Sequence, residues 1–141
     1  MVEIHLARTP EEIQGCFRVM SFLRPHVSEA EFVPRVQAQQ AQGYELAYAQ
    51  DSGEVVAAAG FRVTEILATG RTLYVDDLVT DEARRSQGYG KAMLDWLQAR
   101  ARERGCQTFS LDSGTQRQEA HAFYFRERMR ITSFHFAKKL K

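Results

Sequence analysis

The stretch Arg84-Arg85-Ser86-Gln87-Gly88-Tyr89-Gly90-Lys91 constrains this chain more than any other, because it joins a predicted strand ending near Val79 to a predicted helix running to Arg104. A strand, a glycine turn and a helix leading to a further strand make a crossover, and crossovers connect parallel strands. Two glycines one residue apart let the backbone turn tightly and bring its N–H groups outward without a β-carbon in the way. A helix starting there leaves its first N–H groups without internal partners, with the positive end of the helix dipole behind them, so the loop has the form of an anion cradle. Arg84, Arg85 and Lys91 add positive charge around it, although Lys91 also reads as a first-turn surface residue. Known nucleotide patterns do not fit: Met93 stands where a dinucleotide fingerprint needs its third glycine, and Ala92 follows Lys91 where a nucleoside-triphosphate loop needs Ser or Thr.

At 141 residues and 44% hydrophobic, the chain is long enough for one domain with a real core, residues 1–141, and too short for two ordinary ones. A formal net charge of +1 gives no global attraction to nucleic acid or to an anionic membrane. The basic ending Lys138-Lys139-Leu140-Lys141 is too short to change that. No apolar run approaches a membrane span, and Glu3 and His5 stand where a signal peptide would be apolar, so a cytoplasmic protein is expected. Cys16 and Cys106 are far apart and read as free thiols of a reducing compartment. His5, His26, His121 and His135 share no ligand spacing, and no metal is expected.

Taken in order, Val2 to Leu6 alternates as a strand. Thr9-Pro10-Glu11-Glu12 opens a helix with a capping box, continued by Ile13, Cys16, Phe17 and Met20 and broken near Pro25. Ser28-Glu29-Ala30-Glu31 opens a second helix running to Gly43, and Pro34 inside it predicts a kink or a later start. Tyr44 to Gln50 and Glu54 to Glu65 form a hairpin through Asp51-Ser52-Gly53. The small run Ala57-Ala58-Ala59-Gly60 suggests close packing of a neighbour. The next strand, Arg71 to Val79, is interrupted by Asp76 and Asp77. Because strand side chains alternate, one carboxylate is expected on each face unless a bulge intervenes, so at most one faces a given site. Partners, solvent or a function must account for the pair, and a salt bridge with a surface position serves as well as a catalytic role. After the glycine-loop helix come a strand from Gln107 to Asp112, a helix from Gln118 to about Met129, and an alternating strand from Ile131 to Phe136. The order β-α-α-β-β-β-α-β-α-β predicts an α/β fold with a mixed, largely antiparallel central sheet flanked by helices.

That order, with Arg85-x-x-Gly88-x-Gly90 after the fourth strand and Ala120-His121-Ala122-Phe123-Tyr124 on the helix after the fifth, resembles the GNAT superfamily of N-acetyltransferases from end to end. The resemblance implies that the backbone of Arg85 to Lys91, with Arg84, Ser86, Gln87 and Tyr89 in the same loop, binds the pyrophosphate of acetyl-CoA. It also implies that Leu78 and Val79 face the pantetheine arm where the fourth and fifth strands splay. Tyr124 matches the position whose hydroxyl protonates the departing thiolate. Phe22, Arg24 and His26, on the connection between the first two helices, become candidates for acceptor contact, and a homodimer through the last strands is a further expectation. Two positions depart from the family pattern: Arg117 stands where an asparagine is common, and Arg128-Met129 where a glycine usually ends the helix.

Acetyl transfer needs a neutral amine, yet an alkylamine has a pKa of about 10.4, so something must take a proton. Asp76 or Asp77 can supply the base, with Asp76 preferred and a water chain as the alternative. A backbone N–H near Val79 is the donor that the resemblance implies for the thioester oxyanion. Neither cysteine lies in a cleft-forming segment, which points to direct transfer without an acyl-enzyme. The expected activity is transfer of acetyl from acetyl-CoA to a primary amine of a small molecule or peptide. The alternative is a non-catalytic acyl-CoA-binding or partner-binding module on the same fold.

Overall fold

A computed structural model describes residues 2–141. The chain groups into two compact units, one ending at Ser110 and the other running Leu111–Lys141. Its elements are β1 (Val2–Leu6), α1 (Pro10–Gly15), α2 (Phe17–Leu23), α3 (Glu29–Gln40), β2 (Glu45–Asp51), β3 (Glu54–Ile66), β4 (Gly70–Thr80), a single 3₁₀ turn (Glu82–Arg84), α4 (Tyr89–Glu103), β5 (Thr108–Leu111) and α5 (Gln118–Arg126).

The strands lie in the order β1-β2-β3-β4-β5, and the first four are antiparallel to their neighbours. β5 starts beside the start of β4, where the Gln107 N–H donates to the Arg71 carbonyl at 2.8 Å. The two strands therefore run the same way and α4 is the crossover between them, as the glycine loop requires. The β2–β3 hairpin turns on Ser52 and Gly53, both at positive φ (55° and 81°), the primed geometry that matches strand twist.

Both capping boxes are formed. The Glu12 N–H donates to Thr9 Oγ1 at 3.1 Å and the Thr9 N–H to Glu12 Oε1 at 3.0 Å. Ser28 and Glu31 repeat the exchange at 3.0 and 3.3 Å. α3 therefore starts where its box says and runs through Pro34, whose ring is accommodated without delaying the helix start.

Two sequence expectations are corrected, and one departure from the family pattern is explained. The first helix is two: Cys16 ends α1 and begins α2 at φ −87° and ψ −10°, although the apolar periodicity continues across the break. The last strand is absent among the described residues, since Ile131 to Phe136 takes no regular secondary structure and leaves Phe134 82% and Phe136 92% exposed. Alternation predicts a face, and a strand also needs an edge to pair with. Finally, Arg128 takes the positive-φ position (65°) after α5 that glycine usually fills, and the helix closes normally: the Arg128 N–H donates to the Phe125 carbonyl and the Met129 N–H to Tyr124, each at 3.0 Å.

In the first unit, one sheet face carries α1, α2 and α3. There Ile13, Cys16, Met20, Phe32 and Val36 pack on Leu46, Tyr48, Ala58 and Val79. α4 covers the other face through the fully buried Met93, Leu94 and Leu97, with Trp96 edge-on to Phe61 at 6.1 Å. Ala57, Ala58 and Ala59 are wholly buried between these layers, so the small run is where the sheet is covered on both sides.

Candidate active site

The central irregularity is a β-bulge in β4. Gly60 of β3 is paired with Asp77 and Phe61 with Val75, which leaves Asp76 as the extra residue. The bulge cancels the alternation, and both carboxylates line one half-open cavity of ≈ 270 Å³ between α2, α3 and β4. The expectation that at most one aspartate faces a given site is thereby corrected, for the reason that was its stated exception.

Each carboxylate is held by arginine. Arg62 Nε donates to both oxygens of Asp76, at 3.1 and 3.0 Å, and its Nη2 donates to Gln39 Oε1 at 3.2 Å. Arg24 Nε donates to Asp77 Oδ1 at 2.9 Å, and its Nη2 to the Asp76 carbonyl at 3.0 Å. The second oxygen of Asp77 accepts from the Tyr44 hydroxyl at 2.8 Å. Burial, then the Asp77 charge, pushes the Tyr44 hydroxyl well above its ordinary pKa, so it stays a neutral donor. Arg24 and His26 line the cavity, as does Tyr74. Phe22 is not on its wall; it lies at the surface, 38% exposed, with the Arg18 guanidinium 5.9 Å from its ring centre. Sequence reasoning missed Tyr44, Arg62, Gln39 and Arg35. The alanine-glycine run was the available signal, since it marked the strand over which the Tyr44 ring lies.

The glycine loop begins at Asp81, which is buried. Arg18 Nη2 donates to Asp81 Oδ2 at 2.7 Å, and the Ala83 N–H donates to Oδ1 at 3.0 Å. These bonds hold the carboxyl below its usual range. Ser86 and Gly88 then take positive φ (65° and 85°), and Gly88 is the N-cap of α4 with no side-chain cap. The first turn of α4 thus faces solvent beside exposed Arg85, Ser86 and Gln87. Arg84 is drawn away to Glu54, with Nη2 2.5 Å from Oε2. The Tyr89 side chain is an anchor: it is buried and its hydroxyl donates to Asp51 Oδ2 at 2.5 Å. Lys91 pairs with Asp95 along the helix at 3.4 Å. Gly90 is the second residue of α4. Val79 points into the core under α1 and α2, whereas Leu78, paired with Ala59, falls on the α4 side.

In the second unit, Tyr124 sits on α5 with its ring tilted against Phe123 at 5.4 Å. Burial raises its hydroxyl above the ordinary value, and the Arg117 guanidinium, by charge and hydrogen bond, opposes the rise. Cys16 is buried and its thiol is pushed up to about 12 by burial and then by Glu12. At neutral pH it is no nucleophile. Among the described residues no group of three or more His, Cys, Asp or Glu is placed to hold a metal, and no helix is long and apolar enough to cross a membrane.

Residues 8–129 match the acetyltransferase (GNAT) family. The chain is 33% identical over 125 residues to the uncharacterized N-acetyltransferase YhdJ of Bacillus subtilis (strain 168), covering 88% of each. It is also 33% identical over 66 residues to the aminoalkylphosphonate N-acetyltransferase of Salmonella typhimurium, covering 47% of this chain and 43% of that one. Among solved structures, a transcriptional regulator from Bacillus halodurans C-125 shares the fold with a TM-score of 0.87 at 21% identity, over 99% of this chain and 100% of that one. The chain belongs to the acetyltransferase (GNAT) family, whose members use acetyl-CoA, and is an N-acetyltransferase of that family.

Proposed function

We propose that this enzyme, as one acyltransferase domain spanning residues 1–141, moves acetyl from acetyl-CoA directly to a primary amine of a small molecule. The observation that carries the reading is the meeting of Asp76 and Asp77 in one small cavity with Arg24 and His26. A primary amine of a peptide was the other acceptor that the sequence left open. The cavity's size favours a small molecule, and so does the partial relative, whose name gives an aminoalkylphosphonate as its substrate.

The backbone of Arg85 to Lys91 takes the pyrophosphate, with Arg85, Ser86, Gln87 and Gly88 as the exposed part of the cradle and Gly90 allowing close approach. Arg84 and Tyr89 shape the loop from behind. β4 lines the pantetheine arm at Leu78 and Val79, and a backbone N–H near Val79 meets the developing oxyanion. Asp76 or Asp77 takes the ammonium proton, directly or through water. Tyr124 supplies a proton to the leaving thiolate, whose pKa of about 8.5 makes that help useful but dispensable. The inert thiol of Cys16 supports direct transfer over an acyl-enzyme. The exposed Phe134 and Phe136 support a homodimer that covers them, and sedimentation as a monomer at micromolar concentration would remove that part of the reading.

The test is calorimetric titration with acetyl-CoA, repeated on Gly88→Val. A β-carbon on Gly88 meets no heavy atom within 4 Å, so the substitution acts through the backbone at φ +85° and not through a clash. Binding weakened more than about tenfold, with circular dichroism unchanged, is expected from loss of N–H contacts to an anion. Equal binding by both proteins moves the pyrophosphate elsewhere, and no binding by the parent overturns the loop assignment.

A further inference from the structure

We propose that the acceptor is a small amine that also carries an anionic group, held at Arg35 on the α3 side of the cavity while its nitrogen faces Asp76 and Asp77. This rests on the reading of the cavity as the acceptor site.

Arg35 is placed by helix geometry. Phe32, Arg35, Val36 and Gln39 recur at the spacing that makes one face of a helix, and all four line the cavity. A charge serving only to solvate α3 would stand on the opposite face. Its recorded partner is Glu31, one turn earlier on the same helix, at 3.6 Å with both side chains about half exposed (50% and 46%). Such a pair is weak and leaves the guanidinium able to take a better one.

The charge balance points the same way. The carboxylates of the β4 wall are already neutralised, Asp76 by Arg62 and Asp77 by Arg24. Of the two guanidinium groups that line the cavity, Arg24 is therefore committed to Asp77, whereas Arg35 holds only the longer, half-exposed pair with Glu31. An amine with an anionic group one short chain away offers Arg35 a charge-assisted partner that a plain alkylamine lacks. The volume, ≈ 270 Å³, lies just below the range of about 300–1,000 Å³ usual for ligand pockets, which suits a compact molecule of this kind.

The experiment compares n-propylamine, 3-aminopropanoate and 2-aminoethylphosphonate as acceptors, by steady-state release of CoA, for the parent, Arg35→Gln and Arg35→Lys. The two anionic amines should exceed propylamine in kcat/KM by about tenfold or more, chiefly through KM, as one charge-assisted contact would give. Arg35→Gln should lose that preference and Arg35→Lys should keep part of it. Equal use of all three amines by the parent, or an undiminished preference in Arg35→Gln, overturns the proposal. Should none turn over, calorimetry with 2-aminoethylphosphonate in the presence of CoA decides, and no heat overturns it. The underlying reading fails separately: if Asp76→Asn and Asp77→Asn leave every acceptor's turnover unchanged, the cavity is not the acceptor site, whatever the selectivity.

Discussion

The hydroxyl oxygen of Tyr44 stands 1.8 Å from where a β-carbon on Gly60 would lie. Only glycine at that point of β3 lets the phenol ring cross the strand and reach Asp77. Gly60→Ala should therefore cost about 1–3 kcal/mol by overpacking, read by urea unfolding. Tyr44→Phe keeps the ring, deletes the bond to Asp77, and should cost about 1 kcal/mol. A Gly60→Ala protein as stable as the parent would show that the ring has a second resting place.

Asp76→Asn and Asp77→Asn separate the candidate bases. The variant lacking the base should lose about 10²–10⁴-fold in kcat, while the other loses far less. Small, equal losses from both would assign the proton to a water chain that does not end on either carboxylate.

Asp81 ties the start of the glycine loop to α2 through Arg18. Because its carboxyl is held below its unfolded value, the stabilisation is complete above the unfolded pKa of about 3.9 and disappears as pH falls through the folded value. Asp81→Asn should cost about 1–2 kcal/mol at pH 7, with the partner Arg18 more than half exposed and its contribution reduced accordingly. Stability curves of parent and variant should converge in acid. A gap that persists below pH 3 would mean that packing, not charge, holds the site.

Arg128 pays the steric cost of a left-handed conformation at the end of α5. Arg128→Gly should raise stability by about 0.5–1 kcal/mol, the β-carbon penalty less the added freedom of the unfolded chain, visible as a higher Tm. An unchanged or lower Tm would show that the arginine side chain makes a compensating contact.

The parts of this molecule legible in the sequence are those governed by local chemistry. Thr9 with Glu12 and Ser28 with Glu31 announce their helices, Ser52-Gly53 its hairpin, and Gly88 the start of α4, because each meets a backbone requirement within a few residues. What was not legible depends on partners distant in sequence. The bulge at Asp76 exists through its register against Gly60, and the arginines that hold the acidic pair come from α2 and β3. Cys16 continues the apolar periodicity while the backbone breaks beneath it. Ile131 to Phe136 has the alternation of a strand but is not part of any sheet. Arg128 occupies a glycine conformation without being glycine, which no composition rule can foresee.

The bulge also changes how β4 must be addressed by anyone altering the enzyme. Up to Asp76, even-numbered side chains such as Tyr74 look into the cavity between α2, α3 and β4; from Asp77 onward the odd-numbered ones, Asp77 and Val79, take that side. A library built on positions 74, 76 and 77 therefore samples one chamber, whereas a library built on strict alternation from Tyr74 would spend position 78 on the α4 side of the sheet. For the same reason, deleting a single residue here would reverse the facing of everything beyond it.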